Sequence, residues 1–295
     1  MVQFIMDDII KQLYEEQPSK TLYHYTSLAG LMGMVEKRNM WASEIHYLND
    51  TKELRLLGEL LNHEIRIRLE NGADPCNVLI QFREWIAIRQ KYGPLVFVGS
   101  YTEEGNLLSQ WRGYCPHGSG VSIGFNPEKL IISTKPHSFM IGKCIYDNDH
   151  KIALAKQLID VVVSVANERG EALPNQKHPT QSFHDVFAEL EPKLLTVAAL
   201  IKDHAFREEK EWRIVSPIIS NYVKTPIKYR EGATLLIPFM EVPLPKNDQQ
   251  AIDIEHIFLG PTPENYLSIN SISMYLSRVG AYASILNSAI PYRNI

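Results

Sequence analysis

No stretch of this chain stays apolar for the roughly 18 consecutive positions that a membrane-crossing helix needs. The opening residues, MVQFIMDDIIKQLYEEQ, carry acids where an export signal carries bases. Cysteine is scarce: Cys76, Cys115 and Cys144 are odd in number, far apart and without a CxxC pair. That excludes a framework of bridges and favours a reducing compartment, so the expectation is a cytoplasmic protein with no membrane association. Charge of one sign is also missing, because 30 Lys and Arg stand against 34 Asp and Glu. There is no global attraction to phosphate backbones or anionic lipid. Familiar chemistries are absent too: no Walker loop, no GxGxxG after a strand, no GxSxG elbow and no HExxH. The histidines lack metal-ligand spacing, so no metal is expected.

What remains is ordinary globular material, 45% hydrophobic and 22% charged over 295 residues. A chain of that length buries enough apolar surface to fold without a staple. Helical spacing of apolar residues predicts helices over 4–16, 28–37, 51–70 and 75–91. Ser27 is expected to cap the second of these, and Asp50 with Glu53 has the spacing of a capping box at the start of the third. Short strands are predicted at 21–25, 44–48, 94–100, 121–125 and 142–146. Residues 150–206 return to a helical period, with Arg169–Thr180 as a polar loop and Pro192 breaking or restarting a helix. Strands resume at 211–216, 223–229, 234–240 and 255–259, followed by a helix to about 278 and a last strand at 283–286. The reading is a single α+β domain over 1–295, with a mixed, largely antiparallel sheet, N-terminal helices and a helical insertion or cap at 150–206.

Four clusters carry residue types suited to chemistry. In Leu22-Tyr23-His24-Tyr25-Thr26-Ser27, a histidine ends a strand just before a helix start. Such a residue can bond a ribose or phosphate beside free helix N–H groups, although from these residues alone a satisfied core histidine and a serine cap are the plainer account. Asn49-Asp50-Thr51-Lys52-Glu53 is explained by capping, with Asn49 left over. Ser100-Tyr101-Thr102 followed by Trp111, Arg112 and Tyr114 places aromatic faces near a guanidinium, which suits a planar phosphate-bearing ligand. The plain alternative is a tryptophan anchor under a loop. In Glu209-Lys210-Glu211-Trp212-Arg213, a strand beginning by 209 puts both glutamates on the face of Arg213. They serve there as a base, as a fixed charge facing a sugar cation, or as a structural ion-pair network.

These motifs resemble a bacterial family known only as a domain of unknown function. The likeness lies in LYHYTSLAGLMGMV, MWAS, YLND, LLSQWRGY, GVSIGF, KCIYD, EKEWRIV and IEHIFLGP. The opening strand, short helix and strand near MWAS also resemble the start of ADP-ribosyltransferase-type domains. That second resemblance implies NAD as substrate, with His24 on a ribose, Thr26 beside it and Glu211 or Glu209 in the catalytic role. It also implies an aromatic stacked on nicotinamide, for which Tyr25, Tyr47, Tyr101 and Tyr114 compete. The leading expectation is therefore ADP-ribosyl transfer or NAD glycohydrolysis, in a bacterial stress or defence setting, with protein, nucleic acid or water as acceptor. One alternative is a nucleotide- or peptide-binding module anchored by Trp111 and Arg112. Another is a nuclease or other hydrolase using His24 with Asp50 or Glu53.

Overall fold

Ser27 ends a strand and starts a helix, its hydroxyl accepting from the Gly30 N–H at 3.0 Å. The cap separates β1 (Leu22–Thr26) from α2 (Leu28–Lys37), as the spacing predicts. The structure, a computed structural model, describes residues 2–48, 53–72, 77–115, 120–169, 181–262, 264–288 and 290. The Asn49–Lys52 segment, Cys76, His117 and most of the 169–180 loop lie outside the described residues.

Helices α1 (Val2–Glu15), α3 (Glu53–Glu70), α4 (Val78–Tyr92), α7 (Asn148–Arg169) and α8 (His184–Ala198) share one apolar core. Phe82, Leu158, Phe187 and Val197 are fully or almost fully enclosed in it. The helices of 150–206 are thus joined by α1, α3 and α4 in one layer. Pro192 sits inside α8 without ending it. Burial of Phe187, Leu190 and Leu194 on the same helix offsets an interior proline's cost of about 3 kcal/mol.

The remaining elements build a mixed, largely antiparallel sheet of ten strands among the described residues. In chain order they are β2 (Asn39–Glu44), β3 (Phe97–Thr102), β4 (Val121–Phe125), β5 (Met140–Lys143), β6 (Glu211–Val215), β7 (Lys228–Glu231), β8 (Leu236–Pro243), β9 (His256–Leu259) and β10 (Ser284–Asn287), following β1. The strand order is β10-β9-β4-β1-β3-β2-β8-β7, with β6 on β3 and β5 on β6. Among the strands of the described residues, β9 and β10 alone pair in parallel. A second core, with α2, α6 (Pro127–Thr134) and α9 (Asn265–Arg278), includes Leu22, Tyr101, Phe125, Trp212 and Ile214. No helix among the described residues is long and apolar enough to cross a membrane.

Several boundaries differ from those read off the sequence. Residues 44–48 are the end of β2 followed by a 3-10 turn, Ile45–Tyr47. The Glu44 carboxylate accepts from the His46 backbone N–H at 3.0 Å and from its ring at 2.9 Å, which curls the chain. The strand expected at 142–146 is β5, two residues earlier, and Ile145 makes only an isolated bridge to Ile201. At 223–229 the start is a turn, because the Asn221 side chain accepts from the Val223 N–H at 3.2 Å. Helix α6 was missed, although Asn126 caps it and Pro127 opens it.

A strand has two edges, and β3 shares one of them between two neighbours. Strand β6 pairs with β3 from Val98 to Thr102. On the other edge, β2 pairs at Phe97 and Val98, while β1 pairs only at Thr102, opposite Tyr23. Between these contacts β1 and β2 diverge, and the sheet is split there.

Candidate functional site

The split is occupied by side chains that do the work of a missing strand. His24 Nδ1 donates to the Ser100 carbonyl at 2.9 Å, satisfying a backbone acceptor that no neighbouring strand reaches. A carbonyl only accepts, so Nδ1 carries the proton and Nε2 keeps a lone pair. Burial pushes the imidazole below its usual range, against the raising effect of the Ser100 bond, so the ring is neutral at pH 7. Tyr101 packs beside it, ring centroids 5.8 Å apart, and its hydroxyl meets the Met40 sulfur at 2.6 Å.

A cleft of about 340 Å³, counting space open to solvent, lies over this split. His24, Tyr101, Glu209 and Glu211 all line it, together with Tyr23, Tyr25, Ser100, Thr102, Gln110 and Tyr114. The structure therefore brings the N-terminal histidine and both late glutamates to one place.

The two glutamates arrive by different routes. Glu211 opens β6 and Glu209 ends a 3-10 turn, His204–Glu209, so the strand does not reach back to 209 as expected. Lys210 between them takes the left-handed conformation, φ 43°, which turns the chain sharply. The face shared by Glu211 and Arg213 is as predicted: Arg213 Nε donates to Glu211 Oε1 at 2.9 Å. Lys202, which follows α8, donates its ammonium to both Glu209 and Glu211. Arg213 is fully buried and also donates to the Ala199 carbonyl at 2.8 Å. The Glu211 N–H donates to the Tyr146 hydroxyl at 3.0 Å.

This arrangement drives the two carboxyls apart. Burial alone raises Glu211, but Arg213 and Lys202 outweigh it and hold the group down at about 2. For Glu209 burial prevails over Lys202, and its carboxyl titrates above the usual range. Glu211 is 4% exposed, with both oxygens engaged by cations. Among the described residues, Glu209 is held through one oxygen, by Lys202. The cleft thus presents a carboxylate that is ionised at neutral pH, a carboxyl that titrates above the usual range, and a neutral acceptor at His24.

The other expected residues are placed as follows. Trp111 is completely buried, edge-on to Tyr25 at 4.7 Å, with its N–H on Asn106 at 2.9 Å, so its face is closed to a ligand. Arg112 is exposed on α5 (Leu108–Tyr114) and is not part of the cleft wall. Thr26 is half-buried against Gly30, where a Cβ would lie 2.0 Å from its hydroxyl, and it also stays outside the wall. Of the four tyrosines, Tyr25 is pinned through its hydroxyl, which donates to the Glu104 carbonyl and accepts from the Leu107 N–H, each at 2.8 Å. Tyr47 is exposed away from the cleft and Tyr101 is buried. Tyr114 both lines the cleft and is exposed, at 39%. Asp50 is outside the described residues, as is the side chain of Glu53.

Lys202, Tyr146 and Gln110 were not anticipated. The signal for Lys202 was available: it is a lone cation closing the apolar run VAALI, nine positions before the EKE triplet ends at Glu211.

Residues 110–214 match a family described as a protein of unknown function (DUF2971). The span holds most of LLSQWRGY, and all of GVSIGF and KCIYD, and it reaches Ile214 in EKEWRIV, the segments behind the family resemblance. It includes Gln110, Tyr114, Lys202, Glu209, Glu211 and Arg213, and it excludes His24. No curated protein and no solved structure matches the chain.

Proposed function

We propose that the cleft holds the ribose and the departing base of NAD, and that the protein cleaves the bond between them. The observation that carries this reading is that His24, Glu209 and Glu211 line one cleft although β1 and β6 are far apart in sequence. As the bond from C1′ to the pyridinium nitrogen breaks, its electron pair leaves with nicotinamide and positive charge builds on the ribose. Glu211, kept ionised by Arg213 and Lys202, stabilises that charge. His24 Nε2 accepts from a ribose hydroxyl, and Tyr114 offers its ring to the base. An acceptor oxygen or nitrogen then bonds to C1′, and Glu209 takes the proton it releases. The acceptor is a protein group, a nucleic acid or water, and the setting is a bacterial stress or defence response in the cytoplasm.

A second reading, a nucleotide-binding module without catalysis, draws on one specific observation. Both Glu211 oxygens are already taken by cations, as in a structural ion-pair network. The two readings separate on incubation with NAD labelled in the nicotinamide ring, with protein and nucleic-acid acceptors supplied. The enzyme reading expects release by the wild type and at least a hundredfold slower release by His24→Ala and by Glu211→Gln. Wild-type protein that binds NAD by calorimetry but releases no nicotinamide overturns it in favour of the module.

A further inference from the structure

We propose that a second cavity, between α3, α4 and α8, binds a small uncharged molecule with an apolar body and one hydrogen-bond acceptor. We further infer that its occupancy is transmitted to the cleft through the end of α8. The cavity opens to solvent on one side, and the empty space of about 540 Å³ counts that opening. Leu57 and Leu61 of α3, Trp85 and Ile86 of α4, and Leu194 and Ala198 of α8 form its apolar wall.

The polar edge defines the head group. Arg89 donates from Nε and Nη2 to the two oxygens of Glu191, at 2.6 and 2.7 Å, and its guanidinium lies over the Trp85 ring at 5.9 Å. Glu191 is 6% exposed. A charged ligand has to compete with this pair, whose glutamate is buried and whose arginine is partly exposed, at the cost of separating its members. An uncharged acceptor meets no such cost. The Nη1 hydrogens of Arg89 have no partner among the described residues, and they supply the donor.

The link to the cleft is short and covalent. Ala198 is in the cavity wall, and the next carbonyl, Ala199, accepts from Arg213 at 2.8 Å. Lys202 follows, bridging Glu209 and Glu211. Its backbone is held on both sides, N–H to Ile145 at 3.1 Å and carbonyl from the buried Lys151 ammonium at 3.0 Å. Pressure on the last turn of α8 therefore reaches the two groups that set the charge of the glutamates, with no mobile loop between.

The test uses 1-octanol as probe and 1,8-octanediol, with a second polar end, as control. Saturable thermal stabilisation of the full chain by octanol is expected, at least tenfold weaker for the diol. Two variants narrow the cavity from different helices, Gly58→Leu on α3 and Leu195→Trp on α8, each compared with the wild type by circular dichroism first. Both should lose the effect at least tenfold. Amide exchange should slow over 198–213 as well as along α3 and α4. A non-saturable response, or equal responses in wild type and both variants, overturns the site. Protection confined to α3 and α4 overturns the transmission. Neither readout involves the reaction in the cleft.

Discussion

Replacing Glu211 by glutamine and, separately, Glu209 by glutamine should alter folding stability in different ways as pH changes. Glu211 is held at about 2, although burial opposes its ionisation, because Arg213 and Lys202 surround it. In the unfolded chain it titrates at the ordinary 4.5. A carboxyl depressed on folding contributes stability above its unfolded value and loses it as pH falls through the folded value. That difference is worth about 3 kcal/mol at pH 7 and roughly 1 kcal/mol at pH 3. The first figure agrees with the 3–5 kcal/mol expected when one member of a buried ion-pair network is removed. Glu209 has the opposite sign. Its folded value is raised, chiefly by burial, so ionising it opposes folding, and its contribution fades as pH rises through that value. Glu209→Gln should therefore gain on the wild type between pH 4 and pH 7, while Glu211→Gln falls behind it. Urea unfolding of the three proteins at pH 3, 4, 5 and 7 measures both trends. A cost below about 1 kcal/mol for Glu211→Gln at pH 7, or a gap that does not narrow at pH 3, refutes the reasoning.

Two further outcomes are expected. Tyr25→Phe removes the hydroxyl between the Glu104 carbonyl and the Leu107 N–H, and it should cost about 1–3 kcal/mol in thermal unfolding because both partners are left without their bond. In nicotinamide-release assays from pH 4 to 9, wild-type kcat/KM should fall as pH drops through the raised Glu209 value. Glu209→Gln should lose that limb, and Glu211→Gln should be slow at every pH.

Local signals located most of the elements. The Ser27 cap, the alternation of Val121–Phe125 and the apolar period of α7 each stand in a few adjacent residues. Boundaries failed where a side chain bent the backbone, as Glu44 and Asn221 do. The site was legible as residue types and illegible as assignments. Trp111 has the composition of a ligand platform, yet its indole N–H finds Asn106 and its face finds Tyr25, contacts fixed by tertiary packing. Lys202 was passed over because the residues that need it, Glu209 and Glu211, come after it in the chain and meet it only when β6 joins the sheet. The separate titration of the two glutamates likewise depends on which of them Arg213 can reach.

The single residue pair between β1 and β3 has a mechanical consequence. The half-sheet of β1, β4, β9 and β10 is tied to β3 by strand pairing at Tyr23 and Thr102 alone, while β6 is sewn to β3 along five pairs. His24 belongs to the first body and Glu211 to the second. The His24–Ser100 hydrogen bond lies next to that pair and ties the two bodies a second time, so its loss in His24→Ala should loosen the junction between β1 and β3.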